Sequence, residues 1–170
     1  MLTPRLRTFI VVSLPLVLAD GATKELAVRG LQPPQVPHPL LGDWLRLTLA
    51  FNRQGAIGLT LGQWSRTAFA ALALVALAAV GLLLKRTRAA DRLRASALGL
   101  LAAGAAGNLW DRLRWGHGVV DFIDVGLGSY RFWTFNIADA ALTMGAALLA
   151  WVLWREDAAG RRTGSANGAV

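Results

Sequence analysis

Several aspartates lie within or beside long apolar segments, where a charged side chain is costly and needs a partner or a purpose. They are Asp20, Asp111, Asp121, Asp124 and Asp139. Two carboxyl groups around one water can divide the work of peptide hydrolysis, because repulsion and burial keep one protonated while the other accepts a proton. Asp121 and Asp139 fit this chemistry, although spacing alone allows Asp124 in place of Asp121. Catalysis is the favoured interpretation, and spacing also leaves open proton-coupled transport using Asp20 and Asp139 or a structural role in a non-catalytic assembly factor.

Further polar residues occur close to these acids. Asp20 and Lys24 stand four residues apart with the acid first, which predicts an ion pair on one helix. Asp111 and Arg112 are adjacent and cannot face each other on a helix, so each is expected to bond to another segment. For these residues, bracing and direct catalysis are both compatible with the sequence.

Metal and thiol chemistry find little support in the sequence. The chain has no cysteine, and its histidines, His38 and His117, show none of the spacings typical of metal ligands. No serine has an evident histidine partner, and phosphate-binding and dinucleotide fingerprints are absent from the sequence. We therefore expect no metal and no organic cofactor.

The composition is that of a membrane protein. Hydrophobic residues make up 55% of the 170 residues, charged residues only 16%, and the mean hydropathy is +0.45. Four apolar stretches are long enough to cross a ~30 Å hydrocarbon core as helices: Thr8 to Val28, Thr67 to Leu84, Ala95 to Leu113 and Phe132 to Trp154. We predict an all-α membrane fold with one domain over residues 1–156 and a disordered cytoplasmic tail over 157–170.

The basic residues predict the orientation of the chain. They concentrate in both terminal regions and in the loop Lys85 to Arg94, which should therefore be cytoplasmic. The net charge of +8 falls in short runs between apolar stretches, as topology signals do, so no nucleic-acid partner is expected. In this orientation all of the aspartates above lie at the outer end of the helices.

The first outer segment has its own structure. Trp44 to Phe51 alternates polar and apolar residues with the period of a strand, which predicts a small extracytoplasmic β-element. The stretch Ile57 to Trp64 contains two glycines and fits either a hairpin or a short interfacial helix.

Taken together, the motifs resemble those of the bacterial lipoprotein signal peptidases, the type II signal peptidase family. The matching blocks are Asp20-Gly-Ala-Thr-Lys24, Gly104-Ala-Ala-Gly-Asn-Leu-Trp-Asp-Arg112, Gly118-Val-Val-Asp-Phe122 and Phe135-Asn-Ile-Ala-Asp139. One block departs from the family pattern: Asn52-Arg-Gln-Gly-Ala-Ile-Gly58 has Gln54 where the family has glycine. Ala140 also stands where serine is common.

The resemblance implies that Asp121 and Asp139 are a catalytic pair. It implies that a set of residues around them shapes or braces the site: Asn52, Asn108, Arg112, Asn136 and Ala138, with Asp111, Asp20 and Lys24 as further bracing residues. The implied substrate is a prolipoprotein whose cysteine carries diacylglycerol, cut on the N-terminal side of that cysteine. The implied location is the bacterial inner membrane, with the phospholipid bilayer and the substrate as partners and no obligate protein partner.

Overall fold

A computed structural model describes residues 2–53 and 61–167 of the chain. The elements follow in the order α1 (Pro4–Gly30), β1 (Pro37–Leu41), β2 (Leu45–Asn52), a 3-10 turn (Gly62–Trp64), α2 (Ser65–Arg86), α3 (Arg92–Arg114), β3 (Val119–Leu127), β4 (Tyr130–Arg131) and α4 (Ile137–Asn167). The chain is thus mostly helical with one small antiparallel sheet, as the sequence predicts. Gln54 and residues 57–60 lie outside the described residues, and Gly62–Trp64 lead directly into α2.

Among the described residues, three helices are long and apolar enough to cross a membrane: Pro4–Gly30, Ser65–Arg86 and Ile137–Ala159. The remaining helix, α3, has 23 residues but is less apolar. It packs against α1, α2 and α4, and much of its surface is buried through alanine and glycine. Because its neighbours are helices on three sides, α3 has less need of bulky apolar side chains than a lipid-facing helix.

Small residues let α3 approach its neighbours closely. A methyl group on Gly99 would lie 3.0 Å from the Phe9 carbonyl oxygen of α1. On Gly104 it would overlap the carbonyl oxygen of Ala138 in α4. Both approaches are possible only because these positions carry no side chain.

Both ends of α4 differ from the sequence prediction. The helix begins at Ile137 rather than Phe132, because Phe135 pairs with Ile123 of β3 through backbone hydrogen bonds of 2.8 and 3.0 Å. Asp139 is consequently in its first turn. The helix continues to Asn167, so residues 157–167 are helical where disorder is expected, with Asp157 and Arg161 forming an i, i+4 ion pair of 2.5 Å.

The four-stranded sheet has the order β1-β2-β3-β4, with antiparallel pairing throughout. The predicted strand Trp44 to Phe51 is confirmed as β2, shifted by one residue. Asp121, which lies outside the four predicted spans, is in the inner strand β3 and pairs there with Ala50. One face of the sheet covers the end of α1, where Ala27, Val120 and Phe122 are buried together.

The opposite end of the bundle gathers the basic segments. The Arg5 guanidinium donates to the carbonyl oxygens of Lys85, at 3.0 Å, and Thr87. Arg94 pairs with Glu156. The start of α1, the α2–α3 connection and the distal part of α4 therefore lie together, remote from the sheet.

Candidate active site

Strand β3 presents Asp121 to a cavity. Side chains alternate between the two faces of a strand, and Val119 and Asp121 line the cavity while Val120 and Phe122 join the core against α1. The Asp121 side chain accepts a hydrogen bond of 2.7 Å from the Asn136 amide and is also bonded to Asn52 of β2. Asp121 is thus a buried acid held from two sides.

Asp139 lies in the same cavity at the start of α4. The Asn136 side-chain oxygen accepts from the Asp139 backbone N–H at 2.9 Å, and an Asp139 carboxylate oxygen accepts from the Asn136 N–H at 3.3 Å. This reciprocal arrangement is a capping box, which satisfies otherwise unpaired N–H groups of the first turn. The positive end of the helix dipole also favours the Asp139 carboxylate.

Asn136 connects the two aspartates and is fully buried, with 0% of its surface exposed. Its side-chain amide donates to Asp121, and its backbone N–H donates to Asp139. The antiparallel pairing of Phe135 with β3 brings Asn136 beside Asp121. The distance between the two acids therefore depends on where this one residue sits.

Asn108 of α3 connects Asp139 to Lys24. Its amide nitrogen donates to Asp139 at 2.7 Å, and its oxygen accepts from the Lys24 ammonium group at 3.1 Å. Because an ammonium group can only donate, Lys24 fixes which end of the Asn108 amide points toward Asp139.

Lys24 is the centre of a buried polar network. Its ammonium nitrogen lies 2.8 Å from Asp20 and 2.9 Å from Asp111, and only 3% of its side chain is exposed. Asp20 accepts from the Ala138 backbone N–H at 2.9 Å, and Asp111 accepts from the Val120 N–H at 3.1 Å. The predicted Asp20–Lys24 pair is confirmed, and it links α1 to α3, α4 and β3.

The surroundings of Asp121 favour its protonated form. Burial, reinforced by the negative charge of Asp139, raises the pKa of the Asp121 carboxyl from 3.8 to about 7. The hydrogen bonds from Asn52 and Asn136 and the charge of Lys24 act in the opposite direction but do not outweigh it. Near neutral pH one acid of the pair can donate a proton.

The cavity has a volume of about 780 Å³. Its polar part contains Asn52, Asn108, Arg112, Asp121 and Asp139. Arg112 donates to the Asn108 carbonyl oxygen at 3.0 Å, and its guanidinium lies 5.6 Å from the centre of the Phe69 ring. The rest of the lining is largely apolar and comes from β2, β3, α2, α3, α4 and the segment before α4: Ala50, Phe51, Val119, Phe69, Leu72, Ala73, Ala76, Ala105, Phe132, Trp133, Thr134, Phe135, Leu142 and Thr143.

Asp124, the alternative to Asp121 that spacing leaves open, points elsewhere. Three residues along β3 place it on the opposite face, where it accepts hydrogen bonds from Arg131 at 2.6 Å, Thr48 at 3.0 Å and Arg46 at 3.2 Å. Burial alone would raise the pKa of Asp124, but these donors outweigh it and lower the pKa below its usual range. The structure thus brings Asp121, and not Asp124, together with Asp139.

His117 packs among aromatic rings. Its ring lies 4.0 Å from that of Phe51 and is stacked on Trp115 at 5.3 Å. Burial and the charge of Arg53 lower the pKa of His117. Within residues 2–53 and 61–167, no group of three or more His, Cys, Asp or Glu side chains has the geometry to hold a metal ion.

Sequence reasoning missed most of the apolar lining. The sequence of α2 predicts an apolar span but contains no motif that would identify its cavity-lining residues, which are Phe69, Leu72, Ala73 and Ala76. A sequence signal exists for the segment Phe132 to Phe135, since its aromatic residues precede the Asn136 to Asp139 motif directly.

Known proteins resemble this chain over a segment that includes all of the site residues described above. The family model described as "Signal peptidase (SPase) II" matches residues 12–155. The chain belongs to the signal peptidase II family. Proteins named lipoprotein signal peptidase from Burkholderia mallei (strain SAVP1) and Burkholderia cenocepacia (strain HI2424) are 41% and 40% identical to it over 140 residues, covering 81% of this chain and 82% of theirs.

Solved structures agree with the family assignment. A bacterial membrane enzyme structure at 2.3 Å resolution superposes with a TM-score of 0.78 at 30% identity, covering 88% of this chain and 89% of that one. A second, at 1.9 Å, gives 0.75 at 30% identity and covers 86% and 92%. Membership of a peptidase family makes this chain a membrane peptidase, and the comparisons lend no support to a transporter.

The Lys24 network makes a specific prediction about stability. Replacing Lys24 with methionine would leave the Asp20 and Asp111 carboxylates buried without a cation, so Lys24→Met should lower the free energy of unfolding by about 3–5 kcal/mol. The measurement is thermal or denaturant unfolding of the detergent-solubilised protein. Lys85→Met, at an exposed position, is the control and should change the free energy by less than about 0.5 kcal/mol. Equal stability of the two variants would contradict the role given to Lys24.

Proposed function

We propose that this chain is an aspartic endopeptidase that removes the signal peptide from diacylglyceryl-modified prolipoproteins, cutting on the N-terminal side of the lipidated cysteine. Asp121 and Asp139 are the proposed catalytic pair. The observation that carries the proposal is the cavity in which two acids from different elements share one buried asparagine, with the pKa of Asp121 raised to about 7. The name shared by the relatives, lipoprotein signal peptidase, supports the substrate class.

The two acids take different roles in the proposed reaction. A water held between them attacks the scissile carbonyl carbon while the Asp139 carboxylate accepts its proton and protonated Asp121 donates one to the carbonyl oxygen. The tetrahedral diol then collapses: the carbon–nitrogen bond breaks, the leaving amine takes the proton from Asp139, and a hydroxyl proton returns to Asp121. Both acids end in their starting states, and one water has been consumed.

Other residues prepare the site for this reaction. Asn52, Asn108 and Asn136 bond to the acids and keep their carboxyl groups aimed into the cavity. Arg112 supplies a positive charge in the cavity lining, suited to binding a carbonyl oxygen of the substrate backbone. The apolar walls from α2, α3 and α4 are suited to an apolar signal peptide and the acyl chains of the lipid.

The proposed topology has four membrane spans, with both termini in the cytoplasm of a bacterial cell and the site at the outer face of the inner membrane. At 1.5 Å per residue the 23 residues of α3 reach about 35 Å, enough to cross a core of ~30 Å. The end of the bundle remote from the sheet carries most of the exposed positive charge, which favours the cytoplasmic side. A lipid-anchored substrate would then meet water at the sheet end.

Removing either acid tests the catalytic pair. Asp121→Asn and Asp139→Asn should each reduce cleavage of a lipidated precursor by at least about 1,000-fold, because each removes one of two coupled proton transfers. The measurement is precursor-to-product conversion by gel shift in detergent, with the folded fraction determined for each variant. Asp124→Asn is the matched control on the same strand and should retain readily measurable cleavage. Substantial turnover by either of the first two variants would refute the proposed pair.

The pH dependence follows from the raised pKa of Asp121. Because this acid must be protonated to donate, kcat/KM should decline as pH rises above about 7, with the pair titrating as a unit. Below that pH the protonated form of Asp121 persists, whereas an ordinary aspartate would already be ionised. The measurement is kcat/KM for a lipidated peptide between pH 5.5 and 9 in buffers of constant ionic strength. A rate that rises steadily through pH 8 would contradict the assignment of Asp121 as the acid.

Reporter fusions test the topology. After Val170, a reporter that works only in the cytoplasm should be active, and one that works only in the periplasm should be inactive. After Trp64, in a chain truncated there, the periplasmic reporter should be active and the cytoplasmic one inactive. The opposite pattern in the two fusions would invert the proposed orientation.

A further inference from the structure

A partly buried ion network lies on the face of the sheet opposite Asp121. It consists of Asp43, Arg46, Asp124 and Arg131, and we call it the arginine clamp. The Asp124 carboxylate accepts from Arg46 at 3.2 Å on β2 and from Arg131 at 2.6 Å on β4. Asp43, in the turn between β1 and β2, forms ion pairs with Arg46, at 2.9 Å, and with Arg131, at 3.6 Å. The two arginines thus share the same two acids.

The clamp is more enclosed than an ordinary surface ion pair. Three of its four side chains are largely enclosed: Arg46, Arg131 and Asp124 are only 19%, 16% and 8% exposed, whereas Asp43 is 47% exposed. Exposed ion pairs contribute little because water screens them and the side chains remain mobile. Enclosed pairs with several hydrogen bonds hold a defined geometry instead.

Arg131 makes contacts that Arg46 does not make. Besides the Asp124 carboxylate, it donates to the backbone carbonyl oxygens of Asp124, at 3.1 Å, and of Asp43, at 2.9 Å. It therefore ties β4 to the backbone of β3 and to the turn before β2. Strand β4 itself pairs with β3 at two positions, Gly126 with Arg131 and Leu127 with Tyr130.

The residues that follow Arg131 lead directly to the site. Phe132 donates its backbone N–H to Val125 at 2.8 Å, Phe135 pairs with Ile123, and the next residue is Asn136. Asn136 is bonded to Asp121 and caps the helix that carries Asp139. Any slip of β4 along β3 would therefore move Asn136 relative to Asp121.

We propose that Arg131 is a positioning residue, which holds segment 132–136 in register along β3 and thereby sets the separation of Asp121 and Asp139. The proposal rests on the proposed function, since it concerns the geometry of that pair. An arginine suits this position because its planar fork can bond a carboxylate and two carbonyl oxygens together. A lysine would keep the charge but not this set of bonds.

Arg131→Gln is the variant that tests the proposal, with Arg46→Gln as its matched control. Both substitutions remove one cation from the same two acids, but Arg46 lies on β2, where a bulge between Leu47 and Ala50 separates it from the site end of the strand. Corrected for the folded fraction, kcat of Arg131→Gln should fall about 10- to 100-fold, the size expected for a displacement near 1 Å. KM should change less than about 3-fold, and Arg46→Gln should keep kcat within about 3-fold of the parent.

The pH profile supplies a readout that lost stability alone would not move. The groups facing Asp121 are Asp139 from α4, Lys24 from α1, Asn52 from β2 and Asn136. The Asn136 hydrogen bond lowers the pKa of Asp121, so its loosening in Arg131→Gln should shift the alkaline decline of kcat/KM to higher pH. Arg46→Gln should leave the decline where it is in the parent.

The outcomes are separable. Parallel losses of kcat in the two glutamine variants, or an unshifted pH profile in Arg131→Gln, would overturn the positioning role. If Arg131→Gln does not fold, Arg131→Lys takes its place and should show the same shift with a smaller loss of kcat; parent-like kinetics would overturn the role. Full activity of Asp121→Asn or Asp139→Asn would refute the proposed function instead, whatever the result at Arg131.

Discussion

The arrangement of the site depends on one buried ammonium group. Lys24 stands between two carboxylates and an amide oxygen, and the bonds of these acceptors connect it to α4 and β3. Through Asp20 it reaches the first turn of α4, and through Asp111 it reaches β3. A cation buried without partners would be prohibitively costly, whereas here three acceptors compensate for its lost hydration. The same interaction that neutralises buried charge therefore aligns the two elements that carry the acids of the pair.

Around this centre, asparagines rather than further charges touch the acids. An asparagine can donate and accept at once, so Asn108 accepts from Lys24 while donating to Asp139. Amides fix orientation without adding a full charge that would bring both carboxyl groups into their ionised forms. Lys24 acts on Asp121 from a distance, and burial together with Asp139 keeps the pKa of Asp121 near neutrality. In this site the asparagines position the carboxyl groups, whereas burial and the charge of Asp139 set the protonation state of Asp121.

The structural features that the sequence predicts correctly are those that depend on residues close together in the chain. The Asp20–Lys24 pair follows from helical periodicity alone, and the strand period of Trp44 to Phe51 predicts β2. Strand β3 was missed because its longer pairing, with β2, joins segments distant in sequence, and because its aspartates and glycine interrupt the apolar pattern.

The site was predicted in part for the same reason. The motif blocks identify Asp121 and Asp139, but spacing alone does not distinguish Asp121 from Asp124; the alternation of faces along a strand does. Arg46 and Arg131 carry no motif, because their relation to Asp124 exists only once three strands have assembled. The apolar wall contributed by α2 likewise becomes recognisable only when the bundle forms.

The capping box at the start of α4 has a consequence for inhibition. Asp139 and Asn136 each serve the fold, by satisfying the first turn of a helix, and lie at the proposed reaction centre. A substitution that weakened an inhibitor's contact with either residue would also unpair buried N–H groups at the helix start. Few variants at these positions would remain both folded and active. Resistance to a compound held by the capping residues would therefore have to arise in the apolar walls of the cavity, where side chains can change size without unpairing a backbone group.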